Sequence, residues 1–132
     1  MRKSSKHGLL AALACAVALT VPVAALAHGS SVAVARQPSF DSSSLRLVGA
    51  GGFAAERKHP AVRVTVCLSK RFAGRFVKVR CNTNTKSGRM VKAKVAVPGC
   101  VRGAWRTEVL GQALGRDGWS HDATDASRIF RC

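Results

Sequence analysis

The densest chemistry in this chain is cationic. Twelve lysines and arginines stand between Arg57 and Lys94, and no acid interrupts them. A surface of that composition attracts polyanions by charge neutralisation and counterion release, and the attraction weakens steeply with salt. Phe72 and Phe76 flank Gly74 among Lys70, Arg71 and Arg75. That spacing predicts an exposed aromatic-cationic tip, since stacking aromatics often accompany cations where single strands or rings are bound. Two aromatics are too few for a base-reading surface, so no sequence-specific nucleic acid is expected. The plainer alternative is a solvated charged face that keeps a small sheet protein soluble and blunts its edges.

The cysteines are the second reactive set. Cys67, Cys81, Cys100 and Cys132 share a stretch without C-x-x-C, and the histidines are scattered. Zinc spacing is therefore missing, and no metal is expected. In an exported chain an even cysteine count reads as disulfides. Three connectivities are open, and the nearest-neighbour pairing, Cys67–Cys81 with Cys100–Cys132, is the one expected. His28 could chelate copper if it became the new N-terminus, with His59 or His121 as the second imidazole, but the spacing of these residues is no recognisable ligand set.

Catalysis finds little support. Asp117, His121, Asp122 and Asp125 cluster between Gly115 and Ser127. Ser120, His121 and Asp125 could in name form a triad. Neighbours in sequence rarely meet in that geometry, and there is no nucleophile elbow. The segment reads as a loop whose Asp and Ser side chains make turns. No enzyme activity and no cofactor are expected.

Export frames these residues. Arg2, Lys3 and Lys6 precede an uncharged, Ala-rich run from Leu9 to Ala27 that ends Ala25-Leu26-Ala27. A positive start, an apolar middle and a small-x-small end predict a signal peptide over 1–27, cleaved between Ala27 and His28. Cleavage removes Cys15 and leaves four cysteines. It also leaves 19 of the 22 basic residues against 6 acids, a net charge of +13. The mature chain is then secreted or cell-wall associated, does not span a membrane, and is expected to be a monomer. The lack of tyrosine and the Ala, Val, Arg and Gly bias resemble the usage of a high-GC bacterium.

The elements that must position the cations read as strands. Residues 28–44 are Ser-, Gly- and Pro-rich and are expected to be a mobile leader, with the domain over 45–132. Leu45 to Val48 alternates and stops at Gly49-Ala50-Gly51-Gly52. Val62, Val64, Val66 and Leu68 alternate with polar residues, and Val77 to Cys81 alternates after an Ala73-Gly74 turn. Ser87-Gly88 reads as the next turn, Val91 to Val97 as a strand ended by Pro98-Gly99. Ala104 to Leu110 and Arg128 to Arg131 are weaker strands, with Asp117-Gly118 as a turn between them. No segment after the signal holds a 3.6-residue apolar period. The expected fold is an all-β antiparallel sandwich or open barrel with two disulfides.

A turn at Ala73-Gly74 pairs Val66 with Cys81, Leu68 with Val79 and Lys70 with Val77. One face is then apolar, and the other carries Arg63, Lys78 and Arg80, with Lys92 and Lys94 from the next strand. The same register sets Cys67 and Cys81 on opposite faces. A bulge would reconcile them, and a different pairing would not need one.

The run "VRVTVC", the segment "VPGCVRGAWRT" and the terminal "SRIFRC" resemble small secreted four-cysteine actinomycete proteins of unassigned function over about 45–132. The resemblance implies compartment and fold, and no chemistry. The cysteine spacing is also similar to that of Streptomyces subtilisin inhibitors. That similarity implies neighbour-paired disulfides and a reactive loop at Cys100-Val101-Arg102-Gly103-Ala104, with Arg102 as the specificity residue toward a trypsin-like protease. The family's Tyr and Pro after the reactive bond are absent here, and its helical middle is replaced by the strand Met90 to Val97.

The composite expectation is a small cationic β domain that binds an anionic cell-wall polymer, acidic polysaccharide or anionic lipid surface through Arg63, Lys78, Arg80, Lys92 and Lys94, with Lys70, Arg71 and Arg75 at the tip. A protease inhibitor and a ligand-free structural surface protein are the alternatives.

Overall fold

A computed structural model describes residues 30–132. The expected signal peptide and its cleavage site lie outside the described residues. The described chain forms six strands and no helix: β1 (Val32–Asp41), β2 (Arg46–Phe72), β3 (Arg75–Pro98), β4 (Ala104–Gly115), β5 (Gly118–Ala126) and β6 (Phe130–Arg131). They make one antiparallel sheet that curls into a half-barrel, stapled by Cys67–Cys81 and Cys100–Cys132.

Two strands serve two layers. The first part of β2 (Leu47 to Ala54) lies between β1 and the last part of β3. Its second part (Val62 to Lys70) lies between the first part of β3 and β4. β5 and β6 follow one another along the far side of β4. The bend falls between Ala54 and Val62, where the register slips on both sides of His59. Opposite His59 stands Gly88, whose φ of 112° strains any residue with a Cβ. Ser87-Gly88 is therefore a corner inside one continuous strand rather than a turn between two.

The core fills the concave side. Leu47 and Phe53 meet Val62, Val64, Val66 and Leu68 of the same strand, with Val91, Val95 and Val97 of β3 and Trp105 and Val109 of β4. Alternation holds on Val91 to Val97, whose even-numbered neighbours are exposed or half-buried. Glycines set the distance between the layers. A Cβ on Gly51 would clash with Val109 Cγ2, and one on Gly111 would clash with the Phe53 ring. The run Gly49 to Gly52 thus continues β2 instead of ending it, because the missing side chains let β4 approach.

Two further expectations change. Residues 32–41, read as part of a mobile leader over 28–44, are β1, paired with β2 from Val32↔Ala54 to Asp41↔Arg46. Their Ala33 and Ala35 pack on the core, so small side chains suffice where the partner layer is close. Residues 118–126, read as a loop, are β5. Its Asp125 ties it to β1, the amide of Ala35 donating to Asp125 Oδ2 at 2.7 Å, and just beyond β5 the Ile129 carbonyl accepts from Gln37 Nε2 at 2.8 Å. These bonds occupy a strand edge that would otherwise be open.

Gly111→Ala should destabilise the fold by about 1–3 kcal/mol through overpacking. Adding Phe53→Leu should return part of that loss, so that the two effects are less than additive. Urea denaturation of the three variants checks this, and equal stability of Gly111→Ala and the parent would contradict the close approach.

Candidate functional site

The cations converge at the free end of the β2–β3 ribbon. Ala73 and Gly74 both take positive φ, 47° and 78°, which makes a two-residue turn of the primed kind that suits twisted strands. From the turn, Phe72 pairs with Arg75, Arg71 with Phe76, Lys70 with Val77 and Ser69 with Lys78, as the turn position predicts. The register then shifts by one residue, and Leu68 pairs with Arg80 and Cys67 with Cys81. Val79 is the extra residue of a β-bulge. The bulge brings the two cysteines opposite each other, with Cα atoms 4.0 Å apart, and their disulfide forms across the pair.

The same bulge divides the expected cationic face. Lys78 stays on the outer side with Ser69, whereas Arg80 turns to the side of Leu68. Val77 and Val79, expected on a buried face, are about half exposed, because the first part of β3 is an edge strand, exposed even where it pairs with the buried valines of β2. Arg63 lies on the outer side as expected but is engaged: its Nε donates to Gln112 Oε1 at 2.6 Å, and its guanidinium sits 4.1 Å over the Trp119 ring. Lys92 and Lys94 stand on the outer side of the other layer. The five cations, carried by two strands rather than three, therefore do not share one surface.

What the fold does bring together is the segment 70–80. It holds Lys70, Arg71, Arg75, Lys78 and Arg80, without an acid. Phe72 is 49% exposed at its tip. Lys70 Nζ lies 4.2 Å from the Phe72 ring, and Arg71 and Arg106 lie 5.0 and 4.1 Å from the Phe76 ring. Arg106 was not singled out from sequence. Only the pairing of β2 with β4, which sets Arg106 opposite Ser69, brings it there. Cation–π contacts of this kind hold long side chains in place at modest energy, about 0.5–1 kcal/mol when exposed.

Below the tip, side chains of β3 bond the backbone of the same strand after its corner. Arg80 Nη1, Asn82 Nδ2 and Asn84 Nδ2 donate to the carbonyls of Ala96, Lys94 and Lys92, at 3.2, 2.8 and 2.8 Å. This ladder covers carbonyls on the edge of β3, which no other strand among the described residues pairs.

The acids are mostly committed to structure. Burial alone would raise the Glu108 carboxyl. Hydrogen bonds from Ser69 Oγ and Arg106, and the charges of Arg106 and Lys78, outweigh it and hold the group below its ordinary value. Arg106–Glu108 is the one ion pair among the described residues. Asp41 accepts from the Ser43 and Ser44 hydroxyls and the Ser43 amide, which lowers its pKa to about 2. Asp122 takes the Ser120 hydroxyl. The cations of 70–80 thus meet few counter-charges from their own chain.

The remaining candidates are separate. Ser120 and His121 are adjacent on β5 and so project from opposite sides; the Ser120 hydroxyl bonds the Ala113 carbonyl and Asp122, not an imidazole. His59 Nδ1 lies 3.3 Å from the Leu114 carbonyl and His121 Nε2 lies 3.5 Å from Gln112 Nε2. Among the described residues no three His, Cys, Asp or Glu gather as metal ligands, and His28 lies outside them. The loop after Cys100 exposes Val101 and Arg102. It is pinned by Cys100–Cys132, by the paired backbones of Gly103 and Cys132, and by the Trp105 indole, which donates to the Val101 carbonyl at 2.8 Å. Among the described residues no helix is long and apolar enough to cross a membrane.

The chain matches no protein-family model and no curated protein.

Because the Glu108 carboxyl titrates lower in the folded protein than in the unfolded chain, it adds stability above its unfolded value. That stability is lost as pH falls through the lower, folded value. Glu108→Gln should therefore flatten the loss of stability across the acid range while lowering stability near neutrality. Melting temperatures of both proteins over that range test it, and parallel curves would remove the assignment.

Proposed function

We propose that this is an exported cationic β domain that binds an anionic cell-wall polymer through the free end of the β2–β3 ribbon. The observation that carries the reading is the segment 70–80: five cations, no acid, and half-exposed Phe72, Val77 and Val79 on one protruding hairpin. Closely spaced cations neutralise successive phosphates or carboxylates and release their counterions. The apolar side chains between them suit the less polar parts of a polymer or a lipid interface. Two disulfides fit an oxidising, extracellular setting, and the signal-like 1–27 agrees with export. Nothing in this reading calls for catalysis or a cofactor, and the domain acts as a monomer.

The test is sedimentation of the protein with purified cell wall, acidic polysaccharide or anionic vesicles, at low and high salt. Cell wall should retain it at low salt and release it at high salt. The double variant Arg71→Glu/Arg75→Glu should lose at least about tenfold in affinity, while Lys92→Glu should change little. No retention at low salt, or equal loss in both variants, would remove the hairpin end as the binding element. Retention by polysaccharide or vesicles alone would move the ligand to that source.

A second reading rests on the pinned loop. A protease inhibitor needs a convex loop held rigid before it binds, and Val101-Arg102 is exposed between a disulfide and a hydrogen-bonded tryptophan. That reading expects stoichiometric inhibition of a trypsin-like protease, lost in Arg102→Glu. A protease panel without inhibition ends it.

A further inference from the structure

The outer face of the first layer carries a site that the cationic hairpin does not use. β1, the first part of β2 and the last part of β3 lie side by side there, and their outward residues fall into three rows. The first row is Val32, Ala54 and Met90, apolar throughout. The second is Val34, Gly52 and Lys92. The third is Arg36, Ala50 and Lys94, a cation on each side of an alanine. The middle column is small along its whole length, so the taller columns on either side leave an open trough of about 770 Å³. Asn82 and Asn84, held against β3 by their bonds to the Lys94 and Lys92 carbonyls, extend one wall.

The trough is apolar at one end and doubly cationic at the other, with a third cation, Lys92, beside its middle row. Val32, Val34 and Met90 are 50%, 51% and 60% exposed, a contiguous apolar surface of the kind that marks a ligand groove when polar groups rim it. The rows are two residues apart, so the first and third are separated by about 13 Å at the rise of an extended strand. Its volume lies in the range of small-molecule sites, which are largely apolar with a few placed polar groups. No acid lines the trough, so nothing within it offsets the charge of Arg36, Lys92 and Lys94.

We propose that this trough binds a single medium-chain fatty acid, its carboxylate between Arg36 and Lys94 and its chain over Gly52 toward Val32, Ala54 and Met90. The gradient selects the ligand. A neutral alkyl chain leaves three cations without a partner, a polyanion leaves the apolar row uncovered, and a cationic amphiphile meets like charge. A carboxylate amphiphile satisfies both ends. The site does not depend on the hairpin end, and the two readings stand or fall separately.

Gly52 gives a clean probe. Its φ is not in the left-handed region, and a Cβ there would meet only the Val91 carbonyl at 3.4 Å and Lys92 Cγ at 3.5 Å. A side chain at this position therefore fills the trough without disturbing the core. Titration calorimetry of dodecanoate into the full chain, below its micelle concentration, should show one saturable site. Gly52→Leu and Arg36→Glu/Lys94→Glu should each weaken it at least tenfold with unchanged melting temperature. Dodecanol and dodecyltrimethylammonium should bind at least tenfold more weakly than dodecanoate, and Arg71→Glu/Arg75→Glu should bind dodecanoate like the parent. The idea fails if dodecanoate does not saturate, if Gly52→Leu binds equally well, or if the cationic amphiphile binds as tightly. It fails too if sedimentation shows a dimer that Gly52→Leu dissociates, because the trough would then belong to a second copy of the chain. Loss of dodecanoate binding with retained cell-wall binding would overturn the trough alone.

Discussion

In β2 the inward side chains are odd-numbered before the bend and even-numbered after it: Leu47, Phe53 and Ala55 on one side of His59, Val62 to Leu68 on the other. A strand has a side-chain period of two, so this exchange needs an irregular stretch. The slips around His59 supply it, and β3 makes the matching exchange at Gly88. Because it switches, β2 lines two faces of a single core, to which β3 adds only Val91 to Val97. β4 can then lie close across the Gly51 and Gly111 backbones, and β1 can meet β5 through Asp125 and the segment after it through Gln37. A straight ribbon would leave half of these valines in water.

The bulge at Val79 acts on charge as the corner acts on the core. It lines up Cys67 with Cys81 and, by the same one-residue shift, sends Arg80 to the side opposite Lys78. Arg80 then joins Asn82 and Asn84 in covering the edge carbonyls of β3. The cations of this protein consequently differ in role. Some are structural, such as Arg63 on Trp119 and Arg89, which donates to the Ala55 carbonyl. Those beyond the core crowd the hairpin end, and Arg36 and Lys94 frame the trough. Net charge alone does not separate these groups.

Several features were legible because they are local. Alternation from Val62 to Leu68 and from Val91 to Val97 marks strands, and each valine that alternates is buried. Ala73-Gly74 marks a real turn, β3 ends at Pro98, and the neighbour pairing of the cysteines holds. Others were hidden for stated reasons. The alanines and glycines of 33–35 and 49–52 look too small for a core, yet small residues are what a close layer-to-layer contact admits. The acids of β5 look like turn formers, whereas Asp125 bonds an edge amide 90 residues away in sequence.

From the order of residues alone follow an all-β domain, its main hairpin and a cationic excess that acids do not balance. These depend on periodicity, turn chemistry and composition, which act over a few neighbours. The tertiary structure alone decided which cations share a surface. That assignment hangs on one inserted residue at Val79 and one corner at Gly88, and a single-residue shift turns every later side chain to the other face.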